Sequence, residues 1–133
     1  MSNAVRTMIT TFLGINLSVV AAAAFADQQT TNDGIYTESQ ATAGQAVYEE
    51  KCKTCHPLEF YQEKFKVWNK QPLIGLFDSL SATMPGDRPG GLMIDEYTNV
   101  LAYIFSVVGY PAGEQALNPD DGSMEEIIIE AAP

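Results

Sequence analysis

The segment CKTCH, residues 52–56, holds both cysteines and the only histidine of the 133-residue chain. Cys52 and Cys55 stand three positions apart and His56 follows at once, the C-x-x-C-H spacing that attaches c-type haem. The reason is geometric. Two thiols at this spacing, at the end of a helix, reach the two vinyl groups on one edge of a porphyrin, and the next residue lies under the iron as its proximal ligand. Three other chemistries use the same residue types. A dithiol redox pair needs a βαβ setting, of which the sequence carries no sign. A disulfide over a two-residue gap closes almost no loop and stabilises little. A zinc site would have three ligands here and no fourth cysteine or histidine to complete it. One covalently attached haem c is therefore the expected cofactor, with Cys52 and Cys55 as anchors and His56 as an iron ligand. The other ring nitrogen of His56 should donate to a backbone carbonyl, which fixes the ring and tunes its basicity.

With His56 committed, no histidine remains for the opposite face of the iron. That position falls to a methionine, to a weaker donor such as lysine, or to nothing. Met84, Met93 and Met124 follow the CKTCH segment. Met84 precedes Pro85, which biases it to extended backbone and lets its thioether project from a loop. Met93 reads as core packing at the start of a helix and Met124 as a surface or gap-filling side chain. Met84 is the expected second axial ligand, with Met93 or an open site as the alternatives.

These residues need elements to hold them. Thr37 and Gln40 make a capping box, and Ala41, Gly44, Val47 and Tyr48 recur on one face, which predicts a helix over 38–51 that delivers CKTCH at its end. A second helix is expected over LEFYQEKFKVWN, with Tyr61, Phe65 and Trp68 on one side. Pro72 opens a third, in which Leu73, Leu76, Phe77 and Leu80 sit at i, i+3, i+4 and i+7. The loop TMPGDRPGG (83–91) has Pro or Gly at five of nine positions, so no regular element survives there. The strongest helix follows, with Tyr97, Val100, Leu101, Ile104 and Val108 on one face and Gly109 at its end. No alternating strand pattern of any length occurs. The expected fold is all-α, a bundle of about four helices with long loops around one haem. The polar stretch 27–36 reads as a leader, 37–110 as the domain, and 111–133 as a C-terminal extension whose Ile127–Ile129 run docks on the domain.

Residues 7–26 carry no charge and close on Ala24-Phe25-Ala26 before Asp27, the layout of a secretory signal peptide cleaved after Ala26. The expected location is the periplasm, with no stable membrane insertion once residues 1–26 are removed. After Ala26 the chain has six Lys or Arg against seventeen Asp or Glu, a net charge of −11. Such a polyanion is a poor match for nucleic acid or anionic lipid and suits a partner with a basic surface.

Two longer segments carry a resemblance. GIYTESQATAGQAVYEEKCKTCH (34–56) and TMPGDRPGGLMIDEYTNVLAYIF (83–105) resemble the haem-attachment and methionine segments of class I c-type cytochromes, in particular the small bacterial kind. GYPAGEQALNP (109–119) is similar to tails of cytochromes associated with quinoprotein-type periplasmic dehydrogenases. The resemblance covers nearly all of residues 34–118. It implies that the first and last helices cross closely at Gly44, that Gly44 and Tyr48 meet Val100 and Tyr103, and that Leu101 or Ile104 turns to the haem. Trp68 resembles the family's tryptophan near a haem propionate, with apolar packing as its alternative, and Arg88 and Lys70 are candidate propionate partners. The chain departs from the family's pattern at Pro57, at Met93, and in a span of 28 positions from His56 to Met84.

The expected function is one-electron transfer by an exported monohaem cytochrome c with His56 and Met84 as axial ligands, and no catalysis of its own. Its partners would be redox proteins with basic docking surfaces, a dehydrogenase as donor and an oxidase or another cytochrome as acceptor. Two alternatives are an electron-accepting subunit of a periplasmic dehydrogenase and a haem-based ligand sensor with a displaceable sixth position.

Overall fold

The computed structural model describes residues 28–133, so the expected signal peptide lies outside the described residues. Four helices of ten residues or more and one single turn follow in order: α1 Glu38–Lys51, α2 Glu59–Trp68, α3 Leu73–Thr83, α4 Ile94–Val108 and α5 Ser123–Glu126. The fold is all-α. Among the described residues the only extended pairing is two isolated bridges, both made by Ile128.

The α1 boundaries match the expected ones, and the capping box forms: the Thr37 hydroxyl accepts from the Gln40 N–H at 3.2 Å and the Gln40 side chain accepts from the Thr37 N–H. Gln40 also reaches the tail, donating to the Leu117 carbonyl and accepting from its N–H at 2.8 Å. Helix α4 starts without a side-chain acceptor at Met93. Glu96 compensates, its carboxylate accepting from the Met93 N–H at 2.8 Å. Gly109 ends α4 in the left-handed region at φ 108°, where a side chain would be strained.

The packing centre is the crossing of α1 on α4. A Cβ at Gly44 would lie 1.8 Å from the Asn99 carbonyl oxygen and 2.8 Å from the Val100 nitrogen, so the two backbones touch where the side chain is missing. Tyr48, one turn on, lays its ring 5.3 Å from that of Tyr103 on α4. Beside the crossing, Tyr36, Phe65 and Tyr110 surround Phe105, which is fully buried.

The polar composition of 28–36 hides residues that join the core. Thr31, Ile35 and Tyr36 are buried, and the Tyr36 hydroxyl donates to the Tyr110 carbonyl at 2.7 Å. The tail packs over the same region. Ile128 exchanges backbone hydrogen bonds with Gln29 and Thr31, while Ile127 and Ile129 accept from Leu73 and Lys70. Met124, on the short α5, is fully buried and fills the core.

Candidate haem-binding site

The CKTCH segment winds off the C-terminus of α1 in consecutive turns. Cys52 and Lys53 donate N–H to the Tyr48 carbonyl, and Cys55 and His56 donate to the Cys52 carbonyl, at 2.9–3.1 Å. These turns bring Cys52, Cys55 and His56 onto the wall of one cavity of about 970 Å³. Met84, 28 positions later, lines the same cavity. Its backbone is extended, φ −118° and ψ 154°, as a residue before proline should be.

Three helices contribute most of the remaining walls. Helix α4 supplies Val100, Leu101 and Ile104; α2 supplies Phe60, Tyr61 and Trp68; α3 supplies Leu76 and Leu80. The lining is mainly apolar. The α3 stripe read from the sequence divides its work: Leu73 and Phe77 are buried in the core, whereas Leu76 and Leu80 are half-buried and face the cavity. Phe60, Leu76 and Leu80 had no signal separating them from ordinary packing residues.

The positions expected at the site divide clearly. Cys52, Cys55, His56, Met84, Trp68, Leu101 and Ile104 line the cavity. Arg88 does not; it is exposed, with its side chain against Gly91. Lys70 is also elsewhere, its ammonium paired with Glu130 of the tail. Lys51 and Lys64 are the cations on the lining, and the Lys64 ammonium sits 5.1 Å from the Phe60 ring centre. Met93 is 64 % exposed and absent from the cavity wall, so it neither packs in the core nor reaches the site.

The His56 ring packs on Phe60, centroids 4.7 Å apart. Among the described residues no carbonyl accepts from that ring; the Pro57 carbonyl takes the Phe60 N–H instead, at 3.0 Å. Burial pushes the Cys52 thiol above its usual pKa, and neighbouring Cys55 pushes in the same direction. Burial likewise raises the Tyr61 phenol above its ordinary value, with Cys52 and Tyr48 adding to it.

A volume of about 970 Å³ stands at the upper end of the ~300–1,000 Å³ typical of cofactor and small-molecule sites. Two thiols, an imidazole and a thioether on mainly apolar walls form a donor set suited to a covalently anchored, axially ligated haem. No helix among the described residues is long and apolar enough to cross a membrane. No family model, curated protein or solved structure matches this chain.

Proposed function

We propose that this chain is an exported monohaem cytochrome c, a one-electron carrier of the class I type. The observation that carries the reading is the convergence of Cys52, Cys55, His56 and Met84 on one largely apolar cavity. Cys52 and Cys55 would anchor the haem, and His56 and Met84 would be its axial ligands. When bound, the haem supplies the electron-transfer chemistry, its iron cycling between the ferric and ferrous states. The chain's own residues do the rest. Leu101, Ile104, Leu76 and Leu80 would shield a bound haem from water, and His56 and Met84 together would leave no coordination site for a substrate.

The test is the linkage itself. Protein matured in a periplasm with a haem-attachment system should keep its haem through acid–acetone extraction, and its polypeptide should begin at Asp27. Cys52→Ser or Cys55→Ser should make the haem partly or wholly extractable. A mature mass equal to the bare polypeptide, with two free thiols, would end this reading.

The partner proposed is a redox protein with a basic docking surface, a dehydrogenase on the donor side or an oxidase or second cytochrome on the acceptor side. The support is the net charge of −11 after Ala26. Electron-transfer rates with that partner should fall as salt rises to the physiological range, where the Debye length is about 8 Å. Stopped-flow rates flat in ionic strength would mean that docking is apolar and the acidic surface serves solubility alone.

A further inference from the structure

The cavity wall names the ligands; a residue behind the wall holds one of them in place. Tyr97, on the first turn of α4, is 2 % exposed and is not part of the cavity lining. Its hydroxyl donates to the Met84 carbonyl at 2.6 Å. The same oxygen accepts from the Leu92 N–H at 3.4 Å, and the Met84 carbonyl also accepts from the Gly90 N–H at 3.3 Å. Both ends of the 84–92 loop therefore close on one buried hydroxyl. The Met84 N–H also caps α3 on the Leu80 carbonyl at 2.9 Å, which leaves the loop beyond Met84 with only local turns, Arg88 to Pro85 and Gly91 to Arg88, besides the Tyr97 and Gly90 contacts.

We propose that Tyr97 is a positioning residue that holds the Met84 loop against α4 and so keeps the Met84 thioether in the sixth coordination position. This rests on the His/Met reading above. His56 needs such a device less. The Tyr48 hydroxyl donates to its carbonyl at 2.8 Å, but Cys55, the adjacent residue, would also be tethered to the haem. Met84 has no tethered neighbour. The ring of Tyr97 is fixed by its edge against Phe77, centroids 6.5 Å apart, so the hydroxyl is held where the loop must close.

Imidazole competes with a thioether for ferric iron, so its affinity reads how firmly Met84 is held. One net buried hydrogen bond changes an equilibrium by roughly 2- to 12-fold. In the haem-loaded full chain, Tyr97→Phe should raise imidazole affinity by roughly 3- to 10-fold and speed amide exchange at Gly90 and Leu92. Tyr36→Phe is the control. It deletes an equivalent buried hydroxyl-to-carbonyl bond away from the cavity, so it should lower the unfolding midpoint and leave both readouts unchanged. The proposal is overturned if Tyr97→Phe leaves imidazole affinity and loop exchange as in the unaltered protein. It is equally overturned if Tyr36→Phe raises imidazole affinity as much, because general loosening would then explain the effect. If Met84→Ala does not change imidazole affinity, the ligand reading fails instead, and amide exchange at Gly90 and Leu92 alone decides whether Tyr97 holds the loop.

Discussion

Met84→Ala should lower the reduction potential of the haem-loaded protein by on the order of 100 mV, a fraction of the ~0.8 V that axial ligation spans. A thioether favours the ferrous iron, so losing it favours the ferric state. At about 59 mV per tenfold for one electron, the ferrous form would become roughly fiftyfold harder to populate. The weak red-edge charge-transfer band of a thioether on ferric haem should vanish, and the ferrous protein should bind carbon monoxide. Met93→Ala is the matched control. Met93 is exposed and off the cavity wall, so all three properties should hold and stability should move by no more than about 0.5 kcal/mol. An unaltered protein that binds carbon monoxide tightly and lacks the band would have an open sixth position, and the sensor reading would displace the carrier.

The same substitution should have opposite signs at two helical glycines. At Gly44 the new methyl would meet the Asn99 carbonyl oxygen at 1.8 Å and its carbon at 2.3 Å. Those are backbone atoms of α4, which cannot turn aside as a side chain can, so the helices must separate. Overpacking of this kind costs about 3 kcal/mol or more. For a domain of this size that lowers the unfolding midpoint by roughly 10–20 °C. The damage should spread to the site, because α1 delivers CKTCH while α4 presents Leu101 and Ile104 to the cavity. At Gly75, inside α3, the new methyl would make an ordinary 3.5 Å contact with the Trp68 ring. Gly75→Ala should therefore stabilise by about 0.5–1 kcal/mol through helix propensity and a less free unfolded chain. Thermal unfolding of both variants checks the pair; a Gly44→Ala protein as stable as the unaltered one would mean that the helices do not cross in contact there.

What the sequence determined by itself is the local part of this protein. Thr37 and Gln40 cap α1, Gly109 stops α4, and the apolar spacing marks α2 and α3, because each signal acts within a turn or two of chain. The grouping of Cys52, Cys55 and His56 was legible for the same reason: all three fall within five consecutive residues. The extended backbone of Met84 follows from its proline neighbour alone.

The tertiary structure decided everything that depends on distant segments meeting. It chose Met84 over Met93 for the cavity, since Met93 is left facing solvent at the start of α4. It moved the nearby cations from Arg88 and Lys70 to Lys51 and Lys64, because Lys70 is drawn off to Glu130, sixty positions away. It buried Thr31, Ile35 and Tyr36 in a stretch whose polarity gave no hydrophobic period, by laying Ile127–Ile129 and Tyr110 against them. It also placed the Tyr97 hydroxyl on the Met84 carbonyl. Tyr97 lies on the apolar stripe of α4, and periodicity reports which way a side chain faces but not which carbonyl waits there. A hydrophobic pattern is a property of one helix; a hydrogen bond across 13 positions of loop exists only once the helices have packed.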